Sequence, residues 1–124
     1  MAATERAIDW TIRAALAAAE KKASHIVAID VSEKLAITDV FLILSGANDR
    51  QVKAISDAVE EALDKIDVDP VRREGQQQGR WILLDYVDIV VHVQNEEERA
   101  FYDLERLWKD CPYIEIPLEE EPTA

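Results

Sequence analysis

Cysteine, glycine and proline are scarce: one Cys, three Gly and four Pro among 124 residues. A lone Cys111 permits no internal disulfide and is too little for a thiolate metal site, which points to a reducing compartment, the cytoplasm by default. So few glycines and prolines exclude collagen-like and low-complexity chains. Positive charge is also short, with 14 Lys+Arg against 26 Asp+Glu and a formal net charge of −12. Gripping nucleic acid through its phosphates needs a basic stripe, so RNA is expected at most at the periphery, and a basic protein is the better partner. No apolar run approaches the roughly 20 residues that span a bilayer. The first residues, Met1-Ala2-Ala3-Thr4-Glu5-Arg6, lack a cationic segment followed by an apolar one, which disfavours a targeting signal.

What is present is 48% apolar and 32% charged residues, enough for the core of one domain. The charge is uneven: residues 1–66 hold 8 basic and 11 acidic side chains, residues 67–124 hold 6 and 15. Part of that excess is the solvated face of an acidic cap and tail.

Helical periodicity appears over Thr4 to Lys22, with Ile8, Ile12, Ala15 and Ala19 on one face. Ile26–Val31 and Val40–Leu44 are β-branched runs of the kind buried on both faces. Asn48 with Gln51 has capping-box spacing and opens a helix whose stripe is Val52, Ile55, Val59, Leu63 and Ile66. Val71–Glu74 suits a short edge strand before the loop Gly75–Gly79, and Arg80–Tyr86 with Asp88–Gln94 read as a hairpin. Asn95 with Glu98 repeats the capping pattern, and Phe101, Leu104 and Trp108 should share one face of a last helix stopped by Pro112. The order predicts an α/β fold, a mixed sheet of about five strands with helices packed on it, over residues 1–112. Residues 113–124 are expected to be an acidic, flexible tail.

With Tyr86-Val87 as a two-residue turn, the hairpin pairs Asp85 with Asp88, Leu84 with Ile89, Leu83 with Val90, Ile82 with Val91 and Trp81 with His92. One face is then wholly apolar: Ile82, Leu84, Ile89, Val91 and Val93. The other carries Trp81, Leu83, Asp85, Asp88, Val90 and His92, an aromatic anchor with aliphatics and a polar rim, as partner-binding surfaces have. The alternative is that this face lies beneath a helix with His92 hydrogen-bonded inside. The register sets two aspartates opposite each other and places β-branched Val87 where a tight turn wants positive φ. A basic partner would relieve the first problem, and a longer turn the second.

No catalytic constellation is evident. Ser45-Gly46-Ala47-Asn48 is neither a phosphate-cradling loop nor a dinucleotide fingerprint, so carboxylates such as Asp30, Asp39, Asp85 and Asp88 have no magnesium-nucleotide site to serve. Gly46 needs only a tight turn. His25, His92 and Cys111 show no metal-ligand spacing, and Cys111 reads as inert. Neither an enzyme, a metal nor a cofactor is expected.

Thr38–Gly46 followed by Arg50–Asp57 resembles the central signature of the ribosomal silencing factor family, RsfS, also called Iojap. Glu74-Gly75, Trp81–Val93 and Arg99 through Phe101–Trp108 resemble its second half, so the likeness runs from about Ala7 to Trp108. It implies a nucleotidyltransferase-like topology without the catalytic residues. It also implies binding to the large ribosomal subunit through ribosomal protein fourteen of that subunit, blocking the small subunit sterically and repressing translation in nutrient limitation or stationary phase. Trp81 would be the anchor, Asp85 and Asp88 acceptors for basic groups, Tyr86 and His92 flanking contacts, with Arg99 and Tyr102 at the start of the last helix. A homodimer through the same patch or a role in large-subunit assembly is the alternative, and a nucleotide-handling enzyme with degenerate motifs is the third hypothesis. The departure is Val87, where the family usually has Gly.

Overall fold

The computed structural model describes residues 2–118. Six strands form one mixed sheet: β1 (His25–Asp30), β2 (Val40–Gly46), β3 (Arg72–Glu74), β4 (Trp81–Asp85), β5 (Ile89–Asn95) and β6 (Tyr113–Ile114). Their order is β3-β4-β5-β2-β1-β6. The central pair β2–β5 is parallel, and the other pairings are antiparallel. The four helices are α1 (Glu5–Glu20), α2 (Asp49–Asp64), α3 (Glu96–Tyr102) and α4 (Leu104–Leu107).

Both long helices lie on one face. Val40, Leu42, Leu44, Ile82, Leu84, Ile89, Val91 and Val93 point from the sheet into a core closed by Val52, Ile55, Val59 and Leu63 of α2. From α1 the core takes Ala7, Ala14, Ala15 and Ala18, all fully buried, so its alanines let the helix backbone approach closely. Thr4 caps α1 by accepting from the Ala7 amide at 3.1 Å.

Gln51 joins the two helices. Asn48 accepts from its amide at 2.9 Å, as the capping pattern predicts, but its side-chain oxygen accepts from Ala47 (2.7 Å) rather than from the capping residue itself. Its amide nitrogen donates to the carbonyls of Lys21 and Lys22 at 3.0 and 2.9 Å, capping the end of α1. Gln51→Ala is therefore expected to cost about 1–2 kcal/mol, lowering the melting temperature by roughly 4–8 °C in thermal unfolding. Gly46 is required by space rather than by its turn, since a Cβ there would lie 3.0 Å from the Val52 nitrogen.

Two expectations change. The boundary at residue 112 is too early: Tyr113 and Ile114 pair with Ile29 and Ala28, and Ile114 and Ile116 pack on the main core. Alternating apolar residues cover the otherwise open edge of β1, which outweighs the acidity of the segment. The rest of the expected tail, 119–124, lies outside the described residues. The last helix is also broken, because Asp103 adopts φ 45° between α3 and α4. Phe101 is consequently 80% exposed rather than aligned with Leu104 and Trp108, which pack against Ile29, Val31 and Ile43 on the second sheet face.

Candidate partner-binding face

The hairpin register differs from the expected one. Asp85 pairs with Val90, Leu84 with Val91, Leu83 with His92, Ile82 with Val93 and Trp81 with Gln94. Leu84 thus meets the residue two further along than Ile89. An even displacement leaves every side chain on its expected face, whereas a slip of one would have inverted them all. The added room goes into the turn. The Asp88 amide donates to the Tyr86 carbonyl at 2.9 Å, forming a γ-turn around Val87 at φ 70°, and the Val87 amide donates to Asp85 Oδ1 at 2.8 Å. Left-handed backbone strains a β-branched residue by roughly 1–2 kcal/mol. Val87→Gly is therefore expected to raise the melting temperature by about 4 °C, a net gain near 1 kcal/mol after the entropy of the unfolded glycine.

Asp85 and Asp88 do not face each other across the ladder, and each has a cation from its own chain. Asp88 Oδ2 accepts from Arg6 Nε at 2.9 Å and from Nη2 at 2.7 Å, and Arg72 stands 3.7 Å from Asp85. The like-charge problem is relieved internally.

On the second sheet face the paired strands align three rows: Ser45, Gln94 and Trp81; Ile43, His92 and Leu83; Phe41, Val90 and Asp85. Trp81 donates its indole N–H to His92 Nδ1 at 3.2 Å and meets the Tyr102 ring at a 52° tilt with centroids 4.7 Å apart. Phe41 sets its edge against both His92 and Trp108, each at 5.2 Å. His92 is only 7% exposed, and burial pushes its pKa down to about 4, so it is a neutral interior acceptor rather than a surface contact. This is the alternative in which the face lies partly beneath a helix.

Tyr86 leaves the group altogether. It lies on the helix-covered face, 4% exposed, and burial raises its hydroxyl's pKa, with the Glu60 carboxylate nearby adding to the rise. Arg99 is half-buried and paired with Glu105 at 2.9 Å. The structure therefore brings together Trp81, His92 and Tyr102 as one aromatic group, with Asp85 and Asp88 at the hairpin end. Half-exposed Leu83 and Val90 lie between them, and Phe101 and Leu107 project nearby, 80% and 72% exposed. Sequence reading missed Phe41, Arg6 and Arg72. Phe41 has a signal, since alternation along β2 puts it on the face opposite Val40 and Leu42, whereas Arg6 is 82 positions from Asp88 and has none.

The match to a family model decides the kinship: residues 4–124 fit the family described as ribosomal silencing factor during starvation, RsfS. The chain belongs to the RsfS family. A protein of Halalkalibacterium halodurans named ribosomal silencing factor RsfS is 40% identical over 97 residues, covering 78% of this chain and 83% of that one. Protein Iojap, chloroplastic, of Zea mays is 31% identical over 114 residues, 92% of this chain and 50% of that protein. A crystal structure of a protein from Chromobacterium violaceum superposes with a TM-score of 0.79 at 31% identity, covering 90% of this chain and 92% of that one. The mixed α/β sheet is thus the fold of the RsfS-like structures, and the family name places the chain in ribosome silencing, a regulatory role. Among the described residues of this RsfS-family chain, no helix is long and apolar enough to cross a membrane, and no group of three or more His, Cys, Asp or Glu side chains is arranged to hold a metal.

Proposed function

We propose that the chain docks on the large ribosomal subunit through ribosomal protein fourteen of that subunit and sterically blocks joining of the small subunit. Translation in the cytoplasm is thereby repressed under nutrient limitation or in stationary phase. The observation that carries this reading is the half-open second sheet face: an aromatic anchor at Trp81 and Tyr102, aliphatic Leu83 and Val90, and two carboxylates at the hairpin end. A desolvated centre rimmed by Asp–Arg pairs suits a protein partner, and a net charge of −12 favours a basic one and leaves ribosomal RNA only the edge of the contact. The chemistry at this face is binding: Asp85 and Asp88 are tied to arginines, and His92 is buried with its Nδ1 occupied.

Purified subunits sedimented with and without the protein test the reading. The protein should travel with large subunits alone and lower the fraction of joined ribosomes. A protein that stays at the top of the gradient, or that leaves joining unchanged while bound, refutes it. The exposure of Phe101 and Leu107 favours a second reading, a homodimer or assembly scaffold using the same patch. In that case self-association measured by analytical ultracentrifugation would persist while joining was unaffected.

A further inference from the structure

Four buried side-chain atoms share the second sheet face by register and have no hydrogen-bond partner, Ser45 Oγ, His92 Nε2 and both polar atoms of Gln94, and Arg99 Nε is a further buried atom without one. Ser45 and Gln94 are direct neighbours across the parallel pair, His92 is two residues earlier on the same side of β5, and Arg99 belongs to α3. With His92 Nδ1 accepting from Trp81, its proton sits on Nε2 as an unanswered donor. Buried polar groups without partners are costly, and they weaken the packing of whatever covers them.

α3 carries further signs of loose seating. None of its residues is buried, a feature it shares with α4. It ends at Asp103 in left-handed conformation, a local break before α4. α4 and the turn after it, by contrast, are anchored through Leu104 and Trp108 on an apolar cluster. The side-chain ties of α3 are few: the Asn95 cap on the Glu98 amide at 2.8 Å, Arg80 to Glu98 at 2.8 Å, Arg99 to Glu105 at 2.9 Å, and the tilted ring contact of Tyr102 with Trp81. Both ion pairs keep partial access to solvent, which limits what they contribute.

We infer that α3 is a locally opening flap over a polar seat, unwinding between two fixed ends, the capping Asn95 of β5 and α4 beyond Asp103, and that its opening delivers the row Trp81–Gln94–Ser45 to the docking partner. The unanswered amide and hydroxyl groups of the seat then meet hydrogen-bonding groups of that partner, so the free protein holds in reserve part of the surface the complex uses. The docking half of this inference rests on the large-subunit reading above; the flap itself does not.

Amide hydrogen exchange on the intact chain, with large-subunit affinity measured in parallel, tests it. In the wild type, amides of residues 99–103 should exchange at least about tenfold faster than those of β5, through an opening separate from global unfolding. Gln94→Leu, close in volume and without the two orphaned atoms, should slow that opening about tenfold and weaken large-subunit binding by a similar factor. Gln94→Met serves if the leucine variant does not fold. Exchange of α3 only through global unfolding, or an unslowed opening in a folded variant, overturns the flap. Slowed exchange with unchanged affinity overturns its coupling to docking. A wild type that does not bind large subunits refutes the large-subunit reading and with it the coupling, while the exchange results still decide the flap.

Discussion

Asp88→Lys is expected to remove the protein from the large-subunit fraction while leaving it folded. The turn does not depend on this side chain: the residue 88 carbonyl accepts from the amides of Asp39 and Val40, and its own amide donates to Tyr86. The substitution replaces an ion pair with Arg6 by two like charges, and because Arg6 is 67% exposed the two can turn apart into solvent, so the cost to the fold is about 1 kcal/mol. For a basic partner the same change turns an attraction into a repulsion, and unpairing an interfacial charge costs roughly 2–5 kcal/mol, about thirtyfold in affinity or more. Trp81→Ala should abolish co-sedimentation too, by a different route. It deletes the aromatic anchor, the ring against which Tyr102 packs and the donor to His92 at once. Because Trp81 is half-buried, that variant also loses about 3 kcal/mol of stability, so circular dichroism must accompany its sedimentation. Folded Asp88→Lys and Trp81→Ala proteins that both still ride on large subunits would sink the assignment of this face.

Local chemistry made the elements legible. The Asn48 and Asn95 caps, the apolar stripe of α2 and the short run at 72–74 are each read from residues a few positions apart, and each stands where that reading predicts. The faces of the hairpin were legible for a subtler reason: the register moved by two, and parity survived. What failed depended on distant parts of the chain. Nothing near Asp88 announces Arg6, nothing near Tyr113 announces the open edge of β1, and His92 is met by Phe41 from the neighbouring strand, itself packed by Trp108 from beyond α4. The family resemblance, not the residues around it, makes Tyr86 a flanking contact. Here the γ-turn at Val87 lets Tyr86 continue the alternation of β4 and fold into the core. The candidate site was therefore legible as a face and not as a contact list.

His92 carries the other large expected effect, on stability as a function of pH. Its pKa is about 4 in the folded protein and 6.5 for an unperturbed imidazole, so between those values the unfolded chain binds the extra proton. Stability from this residue is present above pH 6.5 and is lost as the pH falls toward 4, by about 3 kcal/mol. Protonation would also place a hydrogen on Nδ1, facing the Trp81 indole N–H that now donates to it, and so would set two donors against each other in the aromatic group. In His92→Phe the ring remains against Phe41 and the titration disappears. The carboxylates, common to both proteins, largely cancel when unfolding free energies are subtracted at each pH. The wild type should therefore lose about 3 kcal/mol relative to His92→Phe on acidification from pH 6.5 to 4, with a flat difference above pH 7. Parallel profiles throughout would mean that His92 takes up its proton without leaving the folded state, and that the imidazole is not the buried neutral acceptor on which the seating of Trp81 depends.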